Sequence, residues 1–261
     1  MEALSERLKK MAGWCPMAAA AQKGNQHPRA VVPQAKAADA GPADGRAVVF
    51  SYLTFAMAGI SWLVALAALP YLPDQIPIHW NLYGEPDGFS GRFTGAFGLP
   101  AIITLIAILL IVLPRFDRMK DTFNDSRDIY AIVTFATICL LFGIELLTFL
   151  STLGFFIPMA IIFPVLLGFF FIVMGGMMPH VRRNTTIGFR LPWTIRSDPV
   201  WVETHRRGGP IMAAAGILIV LESTVAGVWA MPLAFGIIMV TFGYIIIWSW
   251  HFSRSEAACG G

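Results

Sequence analysis

Charge is scarce in this sequence: only 13% of its 261 residues are Asp, Glu, Lys or Arg. Soluble domains usually carry about 25%, so a large solvated surface is excluded. Cysteine is nearly absent. Cys15, Cys139 and Cys259 make no CxxC pair, and no disulfide framework is expected from them. There is no HExxH, no GxSxG and no phosphate-binding glycine loop, so no catalytic residues, metal or cofactor are expected. A cleavable signal peptide is not expected either, since about 47 mostly polar residues precede the first apolar run.

What abounds is apolar: 56% of residues are hydrophobic and the mean hydropathy is +0.66. The apolar residues gather into six runs, 48–70, 95–114, 130–150, 157–178, 210–230 and 232–251. Each is roughly 20 residues, the length that ~30 Å of hydrocarbon demands of a helix. Backbone groups in lipid must bond within their own segment, and the runs are too long and too uncharged for barrel strands. The basic residues sort by side. Segments on the side of the N-terminus hold 18 of the 19 Lys and Arg residues, and the other side holds only Arg92. Cytoplasmic loops collect such residues. The expected fold is therefore an all-α membrane protein with six transmembrane helices, N-in and C-in. Anionic lipid at the inner leaflet accounts for the net charge of +3, and no nucleic acid is implied.

Three regions follow. Residues 1–47 read as a cytoplasmic tail, mostly disordered. Within it, Leu4, Leu8 and Met11 beside Arg7, Lys9 and Lys10 suit a short surface helix, or equally a frayed end. Residues 48–129 hold the first two helices, and 130–261 the other four. The outer loop 71–94 is dense in proline and glycine. Its run Ile76-Pro77-Ile78-His79-Trp80 reads as extended, and the loop is expected to form an ordered cap. The inner loop 114–129 alternates charge and reads as a solvated face. In the inner loop 179–209, Ser197 is expected to cap a short helix with Pro199 in its first turn. That helix ends at Gly208-Gly209, and Trp201 and His205 share one of its faces.

Two carboxylates, Glu145 and Glu222, stand inside the apolar runs. Intramembrane ionisable groups are functional candidates by default, and the bland reading is a carboxyl bonded to a Ser or Thr of a neighbouring helix. Small residues four apart, Ser61/Ala65, Ser223/Gly227 and Ala226/Ala230, suit close helix packing. His79, Asp74, Glu85 and Asp87 share the outer loop without a recognised metal-ligand spacing. Asn184-Thr185-Thr186 fits the glycosylation pattern but is expected on the inner side.

Two loop motifs carry a family resemblance. Leu72-Pro73-Asp74-Gln75-Ile76-Pro77-Ile78-His79-Trp80-Asn81, followed by Gly84-Glu85-Pro86-Asp87, resembles the outer-loop signature of SdpI-like membrane proteins. Asn184-Thr185-Thr186-Ile187-Gly188-Phe189-Arg190-Leu191-Pro192-Trp193-Thr194 resembles the family's second signature, continuing through Val200-Trp201 and Thr204-His205-Arg206. The resemblance covers roughly residues 50–252, and the tail before residue 47 departs from the family's compact pattern. It implies a multi-pass plasma-membrane protein of a prokaryote that gives immunity to a membrane-active peptide toxin, or senses one and signals inward. On that basis Pro73, Asp74, Pro77, His79, Asn81 and Gly84 are outer-loop recognition residues. Asn184, Gly188, Arg190, Pro192, Trp193, Thr194, Trp201 and His205 are their inner-loop counterparts. For both loops, bracing of helix ends stands as the other reading.

The leading expectation is a non-enzymatic immunity protein whose partners are membrane lipids, a peptide toxin outside and a cytoplasmic regulator inside. The alternative is a small transporter moving a peptide, protons or cations past Glu145 and Glu222. A third reading, a membrane enzyme, rests only on His79 and Asp74 as an acid–base pair.

Overall fold

The computed structural model describes residues 44–259, so the tail readings before residue 44 lie outside it. Its long helices are α1 (Asp44–Ala68), α2 (Arg92–Val112), α4 (Arg127–Thr152), α5 (Met159–Met177), α7 (Asp198–Ala226) and α8 (Ala230–Cys259). Two short helices, α3 (Lys120–Asn124) and α6 (Pro192–Arg196), lie in the loops. Five stretches are long and apolar enough to cross a membrane. The last, Asp198–Ala258, spans 61 residues and contains both α7 and α8. The turn Gly227–Trp229 divides that pair, with Gly227 at φ +58°.

Many hydroxyls inside these apolar helices bond to their own backbone. Ser51, Thr54, Thr137, Thr148, Thr152 and Ser223 each donate to the carbonyl four residues earlier. A polar side chain satisfied within its own helix adds no unpaired group to the apolar layer.

Two boundaries differ from expectation. Helix α1 begins at Asp44, so residues 44–47 belong to the helix rather than to the tail. Helix α7 runs unbroken through Gly208-Gly209-Pro210, where the sequence suggests a stop and a restart. Packing is the reason. A side chain at Gly209 would meet the Pro179 ring and the Gly175 carbonyl, so the glycine permits contact rather than ending the helix. Ser197 does cap α7, its side chain accepting from the Val200 N–H at 3.4 Å, with Pro199 in the first turn.

The outer loop is not helical. It is an antiparallel hairpin of β1 (Gln75–Trp80) and β2 (Pro86–Gly91), irregular around His79. The all-α expectation is corrected by these two strands. With one proline in β1 and a proline and two glycines in β2, the loop has too little helix propensity to extend α1 or α2.

Buried side chains form three groups along the bundle. At the hairpin end, Leu72 and Ile76 pack with Ala65, Ala96 and Phe149. Ala58, Ile103, Ala107 and Ile138 fill the middle. At the other end, Phe123, Tyr130, Phe171, Met178, Trp201 and Met212 gather beneath the loops.

Candidate functional site

The hairpin is tied to the bundle at its base and at its tip. At the base, Ile76 is fully buried, and Arg92 pairs with Asp74 at 2.9 Å. At the tip, Asn81 organises the turn: its Oδ1 accepts from the N–H groups of Tyr83 (2.8 Å) and Glu85 (3.1 Å). Gly84 takes φ +79°, and a side chain there would collide with the backbone of Ala160 at the start of α5. Tyr83 meets Trp229 edge-on at 5.8 Å, joining the tip to the α7–α8 turn.

Asn81 and Gly84 therefore build the turn. Asp74 and His79 face outward, His79 beside Asp87. Pro73 is exposed, and Pro77 is half-buried opposite Phe89. Tyr71, Ile78, Leu82, Tyr83 and Phe89 are exposed apolar side chains. Isolated apolar residues on a surface are ordinary, and these five fall within one loop. Among the described residues, no group of three His, Cys, Asp or Glu side chains is placed to hold a metal ion.

The second motif folds into a self-bonded plug at the other end of the bundle. Asn184 is fully buried, and its Oδ1 accepts from the N–H groups of Thr186 and Ile187, both at 2.7 Å. Its amide donates to the Arg182 carbonyl, so the glycosylation pattern is sealed inside the fold. Asp117 reaches across from the preceding inner loop. It accepts the Thr186 hydroxyl at 2.6 Å and the N–H groups of Thr185 (3.0 Å) and Met119 (2.7 Å). Ser126 accepts the Arg182 N–H at 2.8 Å.

The face expected to carry Trp201 and His205 is real, but it points inward. Their rings stack at 4.1 Å and both residues are about 1% exposed. Trp201 Nε1 donates to the Val181 carbonyl at 2.9 Å. His205 Nε2 accepts the Phe189 N–H at 2.9 Å, while Nδ1 faces the Trp201 carbonyl at 2.8 Å. One acceptor and one donor nitrogen is the neutral imidazole. Gly188, at φ +116°, lies against both rings, and any side chain there would strike His205 Nε2.

The rest of the motif completes the plug. Thr194 is buried and its hydroxyl donates to the Phe189 carbonyl at 2.6 Å. Trp193 Nε1 donates to Ser249 on α8 at 3.0 Å. Arg190 is exposed, but donates to the Thr185 carbonyl at 2.6 Å. Pro192 is exposed at the start of α6.

The intramembrane carboxylates are not brought together by any bond. Glu145 is fully buried on α4 and accepts the hydroxyl of Ser61 on α1, while its Oε1 has no partner. It does not reach the surface. Glu222 is half-buried on α7 and contacts only the adjacent Ser223 hydroxyl, at 3.4 Å.

Sequence reading missed Asp117, Ser126 and Ser249, which lie far along the chain from the loop they hold. It also missed the tightest helix pair. Gly168 and Gly175 on α5 face Gly216 and Gly209 on α7, each close enough to touch the partner backbone. Glycines seven apart on both helices are the signal, two turns that return to one face.

Both motifs fall inside matched regions. Residues 56–104 match a domain of unknown function (DUF1648), covering most of α1, the hairpin and the first part of α2. Residues 180–249 match the SdpI/YfhL protein family, covering the plug, α7 and most of α8. Immunity protein SdpI of Bacillus subtilis (strain 168) is 23% identical over 195 residues, which is 75% of this chain and 91% of that protein.

Over these regions the chain is similar to SdpI-like membrane proteins. No solved structure matches it. The SdpI/YfhL match begins at His180, just beyond α5, and takes in the motif residues of the plug but not Asp117 or Ser126.

Proposed function

We propose that this SdpI-like protein gives immunity to a membrane-active peptide toxin, or senses one, by binding it at the outer hairpin without catalysis. The protein crosses the plasma membrane of a prokaryote six times, with both termini in the cytoplasm. The observation that carries this reading is the hairpin itself. It is a braced platform that exposes Tyr71, Ile78, Tyr83 and Phe89 on the same loop as the His79–Asp87 and Asp74–Arg92 pairs. Pre-ordered aromatic side chains beside charge suit an amphipathic peptide, because little ordering entropy is lost on binding. Similarity to Immunity protein SdpI over most of both chains supports the same reading. A cytoplasmic regulator would meet the exposed rim of the plug at Arg190 and Pro192, since Trp201 and His205 lie beneath it. The comparisons do not favour transport.

Survival and membrane potential test the proposal in a sensitive strain challenged with a panel of membrane-permeabilising peptides. The parent protein is expected to protect against at least one. Tyr83→Ala with Phe89→Ala, at matched membrane abundance, is expected to raise the lethal fraction about tenfold or more at a fixed dose, the factor a lost hot-spot contact carries. Arg190→Ala is expected to leave protection intact while weakening any signal to a regulator. Equal protection by the hairpin variant would move recognition away from this surface, and no protection by the parent would end the immunity reading.

A further inference from the structure

The end of the bundle opposite the hairpin holds a cavity of about 520 Å³, bounded by α1, the turn after α2, α3 and α4. Arg115, Lys120 and Arg127 line it. Among the described residues, no carboxylate forms an ion pair with Arg115 or Lys120. The nearby acids Asp121, Asp125 and Asp128 do not line the cavity, and Asp128 is turned to accept the Ala47 N–H at 3.0 Å. In the wall, Thr134 is 3% exposed, beside Tyr130. A second cavity of about 210 Å³ shares Ala47, Ser51 and Arg127 with the first. It continues along α1 to Val48, Tyr52 and Phe55, which are exposed.

We propose that these two adjoining cavities bind one anionic phospholipid, with its phosphate headgroup at Arg115 and Lys120 and an acyl chain along Val48, Tyr52 and Phe55. Two cations with no carboxylate ion pair among the described residues match a phosphate, and a guanidinium binds its oxygens in pairs. The apolar groove leading out along α1 argues for a lipid as the source of that phosphate, because a free anion has no use for it. The site lies among α1, α2 and α4, away from the hairpin surface, and does not depend on toxin binding.

The test uses the full chain in nanodiscs of phosphatidylcholine alone or with equal parts of phosphatidylglycerol. Native mass spectrometry reads retained lipid, and thermal unfolding reads stability. Phosphatidylglycerol is expected to be retained and to raise Tm. Arg115→Gln with Lys120→Gln should lower retention about tenfold, the factor one lost charge-assisted hydrogen bond carries. Arg196→Gln with Arg254→Gln removes the same charge outside the cavity and should change nothing. Circular dichroism and elution volume establish that each variant is folded. Equal loss in the control pair would overturn the site in favour of diffuse surface charge. Inorganic phosphate or glycerol phosphate raising Tm as far in phosphatidylcholine discs would overturn the lipid as ligand. Absence of any phosphatidylglycerol effect would overturn the site altogether.

Discussion

Asp117 belongs to a segment of alternating charge, yet it is only 3% exposed and receives bonds from Thr186, Met119 and Thr185. Burial by itself would raise its carboxyl. The Thr186 hydroxyl and the two backbone N–H groups outweigh burial together and hold it below the ordinary carboxylate value. A folded value below the unfolded one means that the ionised form stabilises the protein at neutral pH. That contribution disappears as pH falls below the unfolded value of about 3.9 and through the lowered folded one. Thermal unfolding across pH is therefore expected to show Asp117→Asn well below the parent at pH 7 and converging on it in acid. A constant gap between the two would deny Asp117 that role. The same residue marks a limit of sequence reading. Its partners are 68 and 69 positions away, and nothing local distinguishes it from its solvated neighbours. The motif residues Asn184, Gly188 and Thr194, by contrast, were recognisable as a group. Their inward direction became visible only once the bonds were placed.

At the scale of elements, α5 and α7 are held together by absence of side chain. A Cβ at Gly216 would lie 2.5 Å from the Gly168 carbonyl and 2.8 Å from the Ile172 amide nitrogen. Lipid offers no hydrophobic drive between helices, so such close backbone approach carries the association. Gly216→Val is expected to cost about 1–3 kcal/mol through overpacking, seen as a lower Tm and loss of the monodisperse peak in detergent. Gly236→Val on α8 faces open space and is expected to retain both. The hairpin is the other element whose form depends on its seat. Its extended character was legible from Pro77 and the β-branched residues beside it. The strand pairing and the contact of Gly84 with Ala160 were not, because they join separate stretches of chain.

For the whole molecule, the geometry places both ends of the described chain at one end of the bundle. Ala47 bonds Asp128 at the start of α4, and Ser249 near the end of α8 bonds Trp193 in the plug. The hairpin tip reaches Ala160 and Trp229 at the opposite end. Combined with the bias of Lys and Arg toward the plug end, this leads to a definite labelling pattern. In a background with the native cysteines replaced by Ala, Glu85→Cys is expected to react in intact cells with a membrane-impermeant maleimide. Arg196→Cys is expected to react only after permeabilisation. The reverse pattern would invert the proposed orientation.

The sequence by itself determined that the chain is a multi-pass helical membrane protein with two structured loops. Hydrocarbon thickness sets the length of an apolar run, and translocation sorts basic residues, so both properties are written locally. It also placed two multi-residue motifs in the right order for the SdpI-like resemblance. Only the tertiary structure decided what those motifs do in the fold. It turned the Trp201–His205 face inward, seated Glu145 on Ser61 and gave the outer loop its two strands. It also joined Arg115, Lys120 and Arg127 around one cavity. Each of those outcomes depends on which distant residue supplies a bond or fills a space, and apolar periodicity records burial without naming the partner.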